Sequence, residues 1–504
     1  MRPSPGDTTD HRFSNCTGHG DPVLLDCPGP ARSSARIQGV SMSSSTAHGR
    51  IDGESAGVSR PRRFPMPCTG TVVAVASGAV MSLAPGLLPR TPIAQGLLTG
   101  VLVALFVGVA AGVRMVLRHR RSGMEQRWVR IAVAAGCALV VALAVMRAEW
   151  WQNRLRAAMG FPDVGVGYWL ECAVGALVVA VALIGSARAL RWVVRWAMRA
   201  RNVTLTIVAA LAIQIALMPA MADGRRPADA RADAPTDSAS ARQVSESLSG
   251  SGESVVDWSS LGTQGRKFMS ADAGRSVRVY AGLDSAPDLN SRVALAIREL
   301  ERSGGLDRSN LVVMAPTGSG WVDEHAVAGL ARRFGGDVAL VALQYSDAPS
   351  WIGYVFGRDA AEQSQRALFT ALERRLSDLK HPPRLYIYGQ SLGATAGSSV
   401  FTDDADQRHR VCAALWAGPP ADRVHHAGAR ILANSSDPVV QWSPELLWHA
   451  PNLTDTRPDA PHPPWIPIVG FIQTSVDLLT ALTPAPGHGH RYGADQGTAL
   501  GACN

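Results

Sequence analysis

A chain of 504 residues is longer than one hydrophobic core usually organises, so we expect two or more structural units. Its hydrophobic residues, 46% of the total, are concentrated between about residues 71 and 221, with polar sequence on both sides. The net charge of +8 comes from arginines that lie between apolar runs rather than among the aromatic residues of a soluble domain. This distribution argues against a nucleic-acid-binding protein and indicates a protein of the membrane.

Seven cysteines are scattered along the chain, and no two of them form a Cys-x-x-Cys pair. The sequence therefore predicts neither a metal site nor a redox motif, and no cofactor. Cys412 and Cys503 fall in the part of the chain that we expect to be soluble. They could form a disulfide if that part faces an oxidising, extracytoplasmic environment.

The first half of the chain predicts a tail and a membrane domain. Residues 1–66 are rich in Ser, Gly, Pro and Arg without periodicity, which predicts a disordered tail. Residues 67–222 predict an all-α transmembrane bundle of about five helices, because each apolar run has roughly the 17–25 residues that cross a bilayer core. The predicted spans are Thr71–Leu88, Ile93–Leu117, Trp128–Met146, Tyr168–Ala187 and Val203–Met221. The first is the weakest, since Pro85 lies near its end, and a buried core helix is its alternative.

The arginines between the spans predict the orientation. They are most frequent before the first span, between the second and third, and between the fourth and fifth. The positive-inside rule then puts the N-terminus and both Arg-rich loops in the cytoplasm. Five crossings bring the chain after Met221 to the opposite side. We therefore expect a multi-pass protein of the cell membrane, with the lipid bilayer as its partner and an extracytoplasmic C-terminal domain.

The second half predicts a tethered α/β domain. Residues 223–270, rich in Ala, Asp, Ser and Gly, predict a flexible linker. From residue 271 to residue 504, short apolar runs alternate with amphipathic stretches. The predicted strands are Val277–Tyr280, Leu311–Met314, Asp337–Leu343, Arg384–Tyr388, Val411–Trp416 and Ala429–Ala433. This alternation favours a mostly parallel sheet with helices on both faces. The serine motif after the fourth of these strands narrows this architecture to the α/β-hydrolase fold.

A candidate nucleophile follows the fourth predicted strand. Gly389-Gln390-Ser391-Leu392-Gly393 matches the nucleophile elbow G-x-S-x-G, in which a strand turns abruptly into a helix and exposes the serine hydroxyl. Small residues are needed two positions before and after the serine, because neighbouring backbone packs against them. The simpler alternative is a glycine-rich strand–helix turn without chemistry.

A serine nucleophile needs a base, and the base needs an acid that orients it. Asp437 comes directly after the last predicted strand, where the acid of this fold belongs, although Asp before Pro is also common in ordinary turns. The base is expected near the C-terminus, where glycines flank two histidines. His490 is the first candidate and His488 the alternative.

The oxyanion of the reaction needs two backbone N–H donors. The residue after the nucleophile, Leu392, is expected to supply one. The loop after the second predicted strand is rich in glycine, and Gly318 is expected to supply the other. An ordinary glycine-rich turn is the alternative for this loop.

Several segments together carry a resemblance to a known family. They are Leu83–Arg90, Trp150–Gln152, Val279–Leu283, Pro316–Trp321, Gln344–Trp351, Gly389–Gly393, Ser436–Pro438 and Gly487–Gly493. On these segments the chain resembles an actinobacterial family of multi-pass membrane proteins with a C-terminal α/β-hydrolase domain. The resemblance extends from about residue 71 to the C-terminus and implies the same Ser-His-Asp triad. It implies no substrate, because the activity of the family is largely unassigned.

The sequence therefore predicts a membrane-anchored serine hydrolase, which hydrolyses or transfers the acyl groups of lipidic or envelope-associated esters. The alternative is a non-catalytic transport or envelope protein that uses the hydrolase fold as a binding module. In that case we expect Ser391 to lie beyond hydrogen-bonding distance of any histidine.

Overall fold

The computed structural model describes residues 68–117, 126–199, 246–348, 358–493 and 495–503. The predicted disordered tail and the predicted fifth span lie outside these ranges. The described helices of the N-terminal half are α1 (Thr69–Ser82), α2 (Pro92–Leu117), α3 (Arg127–Met159) and α4 (Val166–Arg199). We refer to these four as the membrane helices.

Three of the membrane helices, α2 to α4, are long and apolar enough to cross a membrane. The first predicted span needs correction. Its helix, α1, has only 14 residues and is about 21 Å long, which is shorter than the roughly 30 Å hydrocarbon core of a bilayer. Pro85 and Pro89 explain the early end, because proline disfavours the helical conformation of the residue before it. Residues 83–91 form a non-helical loop instead.

The C-terminal half contains a six-stranded parallel sheet in the order β1-β3-β2-β4-β5-β6. The strands are β1 (Val277–Ala281), β2 (Asn310–Ala315), β3 (Ala339–Leu343), β4 (Arg384–Gln390), β5 (Ala414–Ala417) and β6 (Ala429–Leu432). The helices are α5 (Gly262–Ser270), α6 (Leu289–Arg302), α7 (Glu324–Arg333), α8 (Arg358–Ser377), α9 (Leu392–Ser398), α10 (Asp404–Arg410), α11 (Pro438–Gln441) and α12 (Val469–Asp477).

Strands β1 to β3 are buried along their whole length, and separate apolar clusters cover the two faces of the sheet. A parallel sheet needs this cover on both faces, and Val, Leu and Ala dominate its strands accordingly. The predicted architecture, apolar helices followed by a parallel α/β domain, is confirmed. We refer to the described residues from 246 onward as the sheet domain.

The sheet domain begins earlier than the predicted linker allows. Residues 246–270 pack onto the edge of the sheet, where Leu248 bridges to Arg278 of β1 and the Phe268 ring lies 5.8 Å from the Tyr280 ring. Val256 and Leu261 are fully buried in the same cluster. These apolar side chains order a stretch whose overall composition predicts flexibility.

A buried ion pair joins the membrane helices to the sheet domain. Arg90, in the loop between α1 and α2, donates from Nε and Nη2 to Asp477 Oδ1 at 3.0 and 2.8 Å, and the Leu87 N–H donates to Asp477 Oδ2 at 2.6 Å. Arg90 and Asp477 are 2% and 0% exposed. Trp151 and Gln152 of α3 hold the same loop through hydrogen bonds to the Gly86 carbonyl and the Arg90 N–H. Residues 86–90 therefore connect the two halves of the chain.

Candidate active site

Ser391 occupies a strained turn between β4 and α9. Its backbone angles, φ 56° and ψ −127°, are ones that a non-glycine residue rarely adopts, at a cost of about 1–3 kcal/mol. A Cβ on Gly389 would come within 2.4 Å of the Gly393 oxygen, and one on Gly393 within 2.2 Å of the Ala315 oxygen. The close packing of these backbones explains why the motif has glycine at both positions.

Asp437 and His490 form a buried pair. The His490 Nδ1 lies 2.7 Å from Asp437 Oδ2, and the two residues are 5% and 0% exposed. Asp437 Oδ1 accepts a hydrogen bond from the Val439 N–H at 2.8 Å. Because the carboxylate accepts from Nδ1–H, the neutral imidazole carries its lone pair on Nε2, which is the atom that a general base uses.

The last residue of β5, Ala417, and the residue after it, Gly418, link Ser391 to His490. The Ser391 N–H donates to the Ala417 oxygen at 2.9 Å. The imidazole lies against the next residue, Gly418, where a Cβ would come within 2.6 Å of His490 Cε1. His490 Nε2 is buried and has no hydrogen-bond partner among the described residues, so no bond joins it to the Ser391 hydroxyl. The missing bond is the arrangement that we expect of the binding-module alternative. It does not by itself decide against catalysis, because such bonds are often long without substrate and shorten only in the reacting complex.

His488 faces a different carboxylate. Its Nδ1 lies 3.2 Å from Asp459 Oδ2, and Asp459 also accepts hydrogen bonds from Ser435 and Ser436. The Ser436 hydroxyl in turn accepts a hydrogen bond from the Gly489 N–H at 2.8 Å. The structure therefore brings His490 to Asp437, whereas His488 and Asp459 brace the loop that carries His490.

Tyr492 is a participant that the sequence analysis missed. Its hydroxyl donates to Asp437 Oδ2, the same oxygen that faces His490. Burial, followed by the neighbouring Asp437 carboxylate, raises the pKa of Tyr492 well above its ordinary value, so the hydroxyl stays a donor. The available signal was its position two residues after His490 in a glycine-flanked segment. The pattern does not reveal that the side chain reaches a carboxylate 55 residues earlier.

The two predicted oxyanion donors lie on segments that flank the turn. Leu392 is the first residue of α9, so its N–H has no acceptor within the helix. Gly318 lies in the loop after β2, and this loop meets α9 where a Cβ on Gly393 would come within 2.7 Å of the Pro316 oxygen. In this loop Thr317 N–H donates to the Trp321 oxygen. The described backbone hydrogen bonds include none from the Gly318 N–H.

The loop between α1 and α2, residues 83–91, approaches the loop that carries His490, which we call the histidine loop. A Cβ on Gly489 would lie 3.4 Å from Leu88 Cδ2, and Gly489 has φ 55°. The His490 N–H donates to the Ala481 oxygen at 2.9 Å, four residues after Asp477 of the buried ion pair. The position of His490 therefore depends on contacts from both halves of the chain.

Nothing in the described residues forms a metal site, since no group of three or more His, Cys, Asp or Glu side chains is placed to hold an ion. Cys412 and Cys503 form a disulfide that ties the chain end to the start of β5.

The parallel sheet, with a serine at the strained turn after a central strand, defines a protein of the α/β-hydrolase type. Comparison with family models gives the particular family. An alpha/beta-hydrolase family matches residues 277–430 and 425–502, and the N-terminus of an alpha/beta-hydrolase family matches residues 83–271. These matches cover most of the chain, which therefore belongs to this alpha/beta-hydrolase family. No curated protein and no solved structure matches it.

Proposed function

We propose that this protein is a membrane-anchored serine hydrolase that cleaves or transfers the acyl group of lipidic or envelope-associated esters. The observation that carries the proposal is the buried His490–Asp437 pair. His490 Nε2 has no hydrogen-bond partner among the described residues, and the imidazole lies against Gly418, next to the residue that bonds to the Ser391 N–H. The strained backbone of Ser391 supports it further, because strain of this kind persists only where the surrounding structure enforces it and is concentrated at functional sites.

The reaction would proceed through an acyl-enzyme. The Ser391 hydroxyl oxygen attacks the acyl carbonyl carbon, and its proton moves to His490 Nε2. The N–H groups of Leu392 and Gly318 hold the oxyanion, while Asp437 stabilises the imidazolium. The intermediate collapses, and His490 returns the proton to the departing alcohol. Water then releases the acid, or a second alcohol takes the acyl group.

We also propose that the sheet domain, called the hydrolase domain from here on, lies outside the cell. Residues 83–91 contact it through Arg90, and Phe161 of residues 160–165 packs on the same apolar cluster as its Ala460. Both loops lie at the ends of the membrane helices that are poorer in arginine. The disulfide of Cys412 and Cys503 agrees with an oxidising compartment. Helix α4 leads away from this junction and ends at Arg199, and the predicted fifth span would return the chain. Cleavage of the hydrolase domain by protease in intact cells tests the orientation, and cleavage only after lysis would reverse it.

An ester-hydrolysis assay tests the enzyme. We expect the purified full-length protein to release the chromophore from a short-chain aryl ester and Ser391→Ala to lose this turnover by at least about 10³-fold, as removal of a serine nucleophile does elsewhere. Thermal unfolding of both proteins controls for folding. If neither hydrolyses short-chain or long-chain esters, or if both do so equally, the binding-module alternative is favoured.

A further inference from the structure

A second candidate site lies at the junction of the membrane helices and the hydrolase domain, away from Ser391. A groove of about 660 Å³ runs between α1 and α3, with Phe106 of α2 in its wall. Its lining from α1 and α3 is almost entirely apolar and includes Ala76, Val80 and Val140. This volume falls in the range of roughly 300–1,000 Å³ that small-molecule sites occupy.

The groove continues into the hydrolase domain. Ala84, Ile466 and Val469 line both the groove and a smaller cavity of about 30 Å³ above it. The smaller cavity is more polar, with Gln441, His462 and Gln473 in its wall. An apolar groove that adjoins a small polar cavity fits an amphiphile, with its chain among the helices and its polar group at the junction.

Gln473 indicates which kind of polar group the ligand needs. The side chain is 2% exposed, and its Nε2 donates to the Met81 oxygen at 2.7 Å. Its Oε1 is buried and has no hydrogen-bond partner among the described residues. Because an unpaired buried acceptor costs free energy, a ligand with a hydroxyl donor would complete this site.

The site also favours an uncharged ligand. No described residue that lines the groove or the cavity is Asp, Glu, Lys or Arg. Burial lowers the pKa of His462, which keeps its imidazole neutral at physiological pH. The nearby Arg90 is already paired with Asp477, so an anionic headgroup would find no unpaired cation on the described lining to replace its lost water.

From these observations we infer that the junction binds an uncharged, hydroxyl-bearing lipid of the bilayer, with an acyl chain in the groove and the hydroxyl toward Gln473. The chain's own apolar segment 203–221 is a weaker candidate occupant. If it crosses toward the hydrolase domain, the end that arrives there, Leu217–Met221, has no side-chain donor for Gln473. The inference does not depend on the catalytic role of Ser391.

Photolabelling of the full-length protein in lipid nanodiscs tests the inference. The Ser391→Ala protein is used, so that labelling is independent of hydrolysis. Three probes carry a diazirine in the acyl chain: a diacylglycerol with one hydroxyl and no charge, a triacylglycerol with no hydroxyl, and an anionic phosphatidylglycerol. We expect the diacylglycerol to label α1, α3 and residues near Val469 most strongly. Gln473→Leu should remove the stronger labelling by the diacylglycerol than by the triacylglycerol.

A matched pair of tryptophan variants distinguishes the groove from the general lipid surface. Gly136 lines the groove, whereas Gly108 of α2 does not, and a Cβ at either meets no atom within 4 Å. Gly136→Trp should lower diacylglycerol labelling by about tenfold, because it displaces several methylene groups, and Gly108→Trp should leave it within about twofold.

Three outcomes would overturn the inference. Equal labelling by diacylglycerol and triacylglycerol would mean that water or nothing pairs with Gln473. Stronger labelling by phosphatidylglycerol would contradict the preference for an uncharged ligand. Absence of label from α1 and α3 in the unsubstituted groove would mean that another segment of the chain fills it. These comparisons between probes stand even if a tryptophan variant fails to fold.

Discussion

The turn that carries Ser391 and the loop that carries His490 are held in place in different ways. The turn depends on backbone packing inside the sheet, where Gly389 and Gly393 contact neighbouring main chain. The histidine loop depends on side chains from distant segments: Asp437 and Ser436 after β6, and Leu88 from the membrane helices. We infer that the nucleophile is a property of the sheet alone, whereas the base requires the membrane half of the chain.

The largest predicted effect is a difference in ester turnover between variants of the two histidines. His490→Ala removes the group that faces Asp437, and we expect ester turnover to fall by roughly 10³–10⁴-fold, as loss of a triad member does in other serine hydrolases. His488→Ala removes only a brace to Asp459 and should cost less than about tenfold. Steady-state kinetics of the two variants measure the difference. The reverse order would assign the base to His488.

The next effect tests the dependence on the membrane half. Arg90→Ala leaves the buried Asp477 carboxylate without its cation, and we expect a loss of about 3–5 kcal/mol in the free energy of unfolding, together with lower turnover. Arg366→Ala breaks an exposed ion pair with Glu362 and serves as the control, with a loss below about 1 kcal/mol. Denaturation of both variants in detergent measures this. Full activity in Arg90→Ala would show that the base does not need the junction.

The pH dependence of the same variant gives a further check. Burial raises the pKa of Asp477 above its ordinary value, and removal of Arg90 takes away the main group that opposes this rise. An acid whose pKa is raised in the folded protein favours folding most when it is protonated. The free energy of unfolding therefore falls as pH rises through that raised pKa. The difference in the free energy of unfolding between the wild type and Arg90→Ala should therefore shrink as pH falls from 7 toward 5. A deficit that grows over this range would contradict the assignment.

A smaller effect concerns the end of the chain. The Cys412–Cys503 disulfide closes a loop with a sequence separation of 91 residues, and its removal should cost about 2–4 kcal/mol. Unfolding of the Cys412→Ala, Cys503→Ala double variant measures this, with Cys137→Ala as the control for a free cysteine. An unchanged midpoint would mean that the two cysteines are not bonded in the purified protein.

The smallest effect tests the strain at the nucleophile. Ser391→Gly and Ser391→Ala both lack the hydroxyl, but only glycine adopts φ 56° without strain. We expect the glycine variant to be about 1 kcal/mol more stable than the alanine variant. Thermal unfolding compares the two, and equal stabilities would mean that the turn is not strained.

The sequence predicts the sheet well because its information is local. Each of the six predicted strands is a strand of the parallel sheet, and the glycines of the elbow stand where the backbone packs closely. The helix of the first span is shorter than predicted, because the apolar run continues past the point where Pro85, already noted as its weakness, ends the helix. Residues 246–270 were predicted as linker because composition does not reveal that Leu261 and Phe268 are buried in the core of the sheet domain.

The site was less predictable than the sheet, for a physical reason. Both histidines and Asp437 stand out in the sequence, but the spacing alone does not distinguish which histidine faces the acid. That distinction comes from Asp459, which bonds to His488 from 29 residues away, and Tyr492 bonds to Asp437 from 55 residues away. The contact of Leu88 with Gly489 joins positions about 400 residues apart, and no local pattern encodes it.

The most direct test of the proposed chemistry is the site at which a fluorophosphonate attaches. Peptide mass spectrometry of the labelled full-length protein should find one adduct, on Ser391. His488→Ala should keep this adduct, and His490→Ala should form it far more slowly. An adduct on another residue, or equal labelling of the wild type and His490→Ala, would contradict the account of Ser391 as a nucleophile activated by His490.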